Sequence, residues 1–144
     1  NGSIQSFYVK NDQKNLIAMF FELPNRQIKV GDSWSLNMNF ISMDQNFKCD
    51  TSYKKNNVTL IGLKQIAGQT TAIIKYDLTE FVSGDFNNPL AGNNKKTMMK
   101  MTYNAIGEFS VDKGRWTNYD GILSLSASGV MTSNTTKKIQ LLAE

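Results

Sequence analysis

A two-residue alternation of apolar and polar side chains recurs along most of this chain, and it limits the fold more than any other feature. Successive side chains of a strand point to opposite faces, so this period describes strands with one buried face. Trp34, Leu36, Met38 and Phe40 alternate with Ser35, Asn37 and Asn39. Ala72, Ile74, Tyr76 and Leu78 alternate with Lys75, Asp77 and Thr79, although Ile73 interrupts the pattern. Met99, Met101, Tyr103, Ala105, Phe109 and Val111 oppose Lys100, Thr102, Asn104, Glu108 and Ser110. Leu123, Leu125, Ala127 and Met131 oppose Ser124, Ser126 and Ser128. Weaker strands are expected near 47–54, 58–66 and 137–142.

Turn chemistry separates these segments. Val30-Gly31-Asp32-Ser33 precedes the first strand, Lys55-Asn56-Asn57 reads as a connection, and Ala67-Gly68-Gln69 reads as a hairpin turn. Asp112-Lys113-Gly114 and Tyr119-Asp120-Gly121 flank Arg115-Trp116-Thr117, which either crosses a corner or forms a brief strand. Ser83 to Lys96, rich in Asn and Gly and holding Pro89, is expected to be the longest loop. Asn11 or Asp12 is placed to cap a helix through Leu16, Ile17, Met19 and Phe20, which Pro24 closes. A strand is the alternative for that nearly continuous apolar run.

Each apolar strand face must be covered. A helix of about three turns spans only roughly 15 Å, too little for a sheet of about seven strands. The expected fold is therefore mainly β, a single β-rich domain over residues 1–144. Its curved antiparallel sheet would be a half-barrel, a barrel or a two-layer sandwich, with one short N-terminal helix. A half-barrel would leave part of its concave face for a ligand.

Composition narrows the chemistry. Histidine is absent, which removes the Ser-His and Cys-His nucleophile pairs and the imidazole general base. The single cysteine, Cys49, cannot build a thiolate cluster for zinc. It reads as a small buried hydrophobe sharing a face with Phe47, Thr51 and Tyr53. Glu108, Asp112 and Asp120 lack the regular spacing of a calcium loop. No metal, no cofactor and no enzyme activity are expected; a carboxylate-dependent hydrolase would need two of the 12 acidic residues to converge in a cleft.

The net charge of +4 comes from 16 basic and 12 acidic residues. The lysine pairs Lys54-Lys55, Lys95-Lys96 and Lys137-Lys138 are dispersed, and the only arginines are Arg26 and Arg115. That distribution suits solvated loops and guarded sheet edges better than nucleic-acid binding. No apolar run reaches the length of about 18 residues that a spanning helix needs. The start at Asn1-Gly2-Ser3 suits a trimmed chain, from which a leader or a lipid-bearing cysteine would already be gone.

Two segments carry a resemblance. Leu23-Pro24-Asn25-Arg26-Gln27-Ile28-Lys29-Val30-Gly31-Asp32-Ser33-Trp34 resembles the "LP…KVGDSW" opening of uncharacterised secreted or lipid-anchored β proteins of Gram-negative envelopes. The stretch from Phe109 to Met131 is similar to the same group: an acidic-Lys-Gly turn, an aromatic, a "YDG" turn and a serine-alternating strand ending "SGVM". The resemblance implies a curved β fold and a periplasmic or cell-surface location. Peripheral membrane association would follow only from an upstream lipid anchor. It supplies no catalytic residues.

The function these readings favour is a non-catalytic envelope protein that binds an apolar small molecule or another envelope component on a curved sheet. The alternative is a structural or adhesive module with a filled core. Candidate ligand-binding residues are Trp34, Met38 and Phe40 inside the fold, with Trp116 and Tyr119 at a rim.

Overall fold

The alternation read from Ala72 to Thr79 is part of a longer strand, Gln69–Asn88. In the computed structural model, which describes residues 13–90 and 92–141, β1 (Ser33–Trp34) is followed by β2 (Phe47–Ile66) and β3 (Gln69–Asn88), then by β4 (Asn93–Ser110), β5 (Arg115–Ser128) and β6 (Ser133–Gln140). Each strand pairs antiparallel with its sequence neighbour, giving one six-stranded sheet in the order β1 to β6. The two ends of the sheet do not meet, so the sheet is open rather than a barrel or a second layer. A helix, α1, occupies residues 13–21. Its expected caps, Asn11 and Asp12, lie outside the described residues.

Several boundaries differ from the sequence reading, each for a physical reason. Residues 47–54 and 58–66 fuse into β2, and Lys55-Asn56-Asn57 lies within it. These polar residues are tolerated because Lys55 pairs with Asp77 on the outer face and Asn56 bonds the backbone of Leu36. The stretch Ser83 to Lys96 is mostly paired strand, with Asn87 opposite Asn94 and Asn88 opposite Asn93. It is the tip of a long hairpin, where little needs burying and polar residues serve. Ala67 and Gly68 form the β2–β3 turn, both with positive φ (49° and 77°), as a two-residue type I′ hairpin requires.

Tyr119-Asp120-Gly121 is not a turn but part of β5. Gly121 is there for space: a Cβ would lie 2.7 Å from the Tyr103 hydroxyl oxygen. Met131 lies beyond the end of β5 at Ser128. A bulge at Asp50 shifts the β2 register, so Cys49 pairs with Gly84 while Thr51 pairs with Ser83. Phe47 and Cys49 therefore do not share a face with Thr51 and Tyr53, and Cys49 is only half-buried.

The largest departure concerns residues 34–40. Only Ser33 and Trp34 pair as strand, with Thr59 and Val58. From Ser35 to Asn46 the chain runs as an irregular strap, and Leu36 and Met38 are buried. Strap and helix together cover the inner face. Ala18, Met19, Leu36 and Met38 pack with Val58, Leu60, Ala72, Ile74, Tyr76, Leu78, Tyr103, Ala105 and Tyr119 to form the core.

A helix leaves its last four carbonyls without helical partners. In α1 all four are satisfied. Glu22 N donates to Ala18 O (3.1 Å) and Leu23 N to Phe21 O (3.0 Å). The sheet supplies the other two: Tyr76 Oη donates to Met19 O at 2.8 Å, and Trp116 Nε1 to Phe20 O at 2.9 Å. Removing one such donor leaves a buried carbonyl unsatisfied, at a cost of about 1–3 kcal/mol. Tyr76→Phe is expected to lower urea-unfolding stability by roughly that amount, whereas Tyr53→Phe at an exposed position is expected to change it little. Equal midpoints for the two variants would remove this bond from the forces seating the helix.

Candidate functional site

The site begins with the way the strap is held. Irregular backbone over a core must find hydrogen bonds outside a ladder, and here side chains supply them. Asn56 pairs with Leu36 as a strand neighbour would, its Nδ2 donating to the Leu36 carbonyl (2.6 Å) and its Oδ1 accepting from the Leu36 N–H (2.9 Å). Glu22 accepts from Asn37 N through both carboxylate oxygens (2.9 and 3.0 Å). Asn15 of the helix donates to Asn39 O (2.8 Å).

Glu80, a carboxylate on the inner face of β3, accepts from Phe40 N and Ile41 N, both at 2.9 Å. Lys54 lies 3.6 Å from it and donates to Met38 O (2.8 Å) and Asn39 Oδ1 (2.6 Å). At the start of the strap, the Gly31-Asp32 turn is stitched to β2 by Gly31 N→Leu60 O (2.8 Å) and Leu60 N→Asp32 O (3.0 Å). Gly31 sits at φ 96°, a conformation glycine adopts without steric cost. The Lys29 N–H, bonded to the Asp32 carboxylate, holds Asp32 below the usual carboxylate range, with Arg26 contributing.

This cover is narrower than the sheet. Between the helix and β4–β6 it leaves a groove of about 360 Å³, within the range of small-molecule sites. Leu16 and Met19 form one wall and Phe40 of the strap closes one end; Met101, Leu123, Leu125 and Ile139 form the sheet side. Asn15, Thr135, Lys137 and Lys138 supply the polar groups. No carboxylate lines the groove among the described residues.

The sequence-derived candidates scatter. Phe40 lines the groove. Met38, buried to 2% exposure, lies in the core instead. Tyr119, expected at a rim, is buried to 1%. Trp116 is half-buried and is used up in seating the helix. Trp34 packs against the core, and its buried Nε1 has no hydrogen-bond partner among the described residues. Apart from Phe40, sequence reasoning named none of the groove residues as ligand-binding, neither the aliphatic ones on α1, β4, β5 and β6 nor the polar Asn15, Thr135, Lys137 and Lys138. Most of the aliphatic ones were legible as inward-facing; that they stay uncovered depends on where the helix comes to rest. Glu108, Asp112 and Asp120 do not converge: Glu108 pairs with Lys64, Asp120 with Lys138, and Asp112 accepts from Thr70 N.

Beside the groove lies a buried aromatic cluster. Tyr76 meets Tyr103 and Tyr119 edge to face, and Phe20, Trp116 and Phe109 extend the array. The Tyr103 and Tyr119 hydroxyls share a hydrogen bond. Burial pushes the Tyr103 phenol up to about 12. It also raises Tyr119, where both neighbouring phenols add to the effect, and Tyr76, where Tyr103 adds to it and the Tyr119 hydroxyl opposes it.

No protein-family model matches the chain, and comparison with curated proteins and with solved structures likewise gives no match. The groove is therefore read on its own chemistry.

The tyrosine cluster makes a pH prediction. A phenol whose folded pKa lies above its unfolded value of about 10 keeps its proton in the fold longer than in the unfolded chain. The stability it contributes is complete below about pH 10 and is lost as pH rises toward the folded value. The urea midpoint is expected to fall from about pH 10 upward, with a tyrosinate absorbance change that tracks unfolding. Phenolate absorbance exceeding that of the other two tyrosines, Tyr8 and Tyr53, and appearing well before loss of structure would show that these hydroxyls titrate within the fold.

Proposed function

We propose that this protein is a non-catalytic envelope protein that holds an apolar small molecule in the groove between α1 and β4–β6. The observation that carries this reading is the groove itself: an open, mainly aliphatic surface left beside a cover otherwise tied down by hydrogen bonds. Buried apolar surface contributes roughly 25 cal/mol per Å², so a ligand that removes these side chains from water gains affinity without needing many polar contacts. A carboxylate-dependent hydrolase finds little support here, because no acid for proton transfer lines the groove among the described residues. A structural module with a filled core fits less well than a carrier or sensor, because aliphatic side chains of the sheet are left uncovered along the groove. The envelope location rests on the resemblance of residues 23–34 and 109–131.

Native mass spectrometry of protein gently isolated from its host envelope tests this reading, with Leu125→Trp as the blocking variant. The native protein is expected to carry an added mass that denaturation releases, and the blocked variant to lose it while keeping its unfolding midpoint. A ligand retained undiminished by folded Leu125→Trp would place the binding surface elsewhere.

A further inference from the structure

The groove has a chemical polarity that narrows its ligand. Its sheet side is aliphatic over Met101, Leu123 and Leu125, whereas the β6 side offers Thr135 and Lys137. Lys137 pairs with Leu123 across the β5–β6 ladder and so follows the inward alternation of Thr135 and Ile139. The inward stripe of β6 is thus mostly polar, and it sets the Lys137 ammonium beside the aliphatic strip of β5.

Three lysines bear on the cover and its groove: Lys54, Lys137 and Lys138. Lys54 is answered by Glu80, and its ammonium also holds strap oxygens. Lys137 has no carboxylate partner among the described residues, although its neighbour Lys138 is paired with Asp120 at 3.9 Å. Resting on the reading of the groove as an apolar ligand site, we propose that its ligand is a single-chain anionic amphiphile. The chain lies over Met101, Leu123 and Leu125, and the carboxylate or phosphate head pairs with the Lys137 ammonium. Lys138 is engaged with Asp120, and no acid among the described lining residues opposes the Lys137 charge.

Isothermal titration of the full chain with dodecanoate, monododecyl phosphate, dodecanol and dodecyltrimethylammonium, all below micelle formation, tests the assignment. Both anions are expected to bind more tightly than dodecanol, and the cation most weakly; the tighter anion distinguishes a carboxylate head from a phosphate one. Lys137→Gln is expected to weaken the anions about tenfold, the size of one charge-assisted hydrogen bond, while leaving dodecanol within about twofold. Lys137→Arg is expected to restore anion binding. Raising salt should weaken the anions and not the alcohol. Equal binding of dodecanoate and dodecanol, unchanged by Lys137→Gln, would overturn the head-group assignment and leave the apolar site standing. Failure of every probe to bind would overturn both.

Discussion

The inner face of this protein depends on where the end of one short helix is held. Met19 and Phe20 bring their carbonyls down onto the sheet, where the Tyr76 hydroxyl and the Trp116 indole receive them. Those donors come from β3 and β5, so the two bonds fix the helix across the sheet rather than along one strand. The same rings pack against each other and against Tyr119, so hydrogen bonding and aromatic packing impose one position. With the helix so placed, Leu16 and Met19 face the groove and Ala18 faces the core.

The strap completes the cover by a different route. Its alternating apolar residues would suit a strand, but the extended backbone from Ser35 onward leaves the ladder after Trp34. Leu36 and Met38 still reach the core, and the backbone groups are met by Asn56, Glu22, Asn15, Glu80 and Lys54. An unpaired carboxylate near the core would be costly, yet Glu80 is answered by two N–H donors and an ammonium. This is a polar network in which each member also serves to close the fold.

What the sequence made legible follows from which forces act locally. Alternation marked β3, β4 and β5, because their inner residues face a core along most of the covered length. It also marked 34–40 as inward-facing, but periodicity cannot distinguish a laddered strand from a strap whose hydrogen bonds come from distant side chains. Asn56, Glu80 and Lys54 gave no local sign of that role. The 119–121 turn reading failed for a related reason. Gly121 accommodates Tyr103 from the neighbouring strand, a through-space demand that looks like turn chemistry when only neighbours in sequence are considered. Of the ligand candidates, Phe40 lines the groove, while Trp116 and Tyr119 are drawn into the seat of the helix.

That division between aromatic and aliphatic residues explains why a groove opens where it does. Along the inner face of β5 the side chains run from Trp116 and Tyr119 through Gly121 to Leu123, Leu125 and Ala127. The aromatic end fills its space because rings from the helix, β3 and β4 meet there, and Gly107 leaves room where a Cβ would collide with Trp116 and Tyr119. The aliphatic end has shorter side chains, and the nine residues of the helix described here, about 13 Å at the usual rise, are anchored at the other end. Shifting the helix to cover Leu123 and Leu125 would break the Tyr76 and Trp116 bonds and strand two carbonyls. An apolar surface is thus kept open by the cost of covering it, which is the condition that the proposed binding site needs in a fold this small.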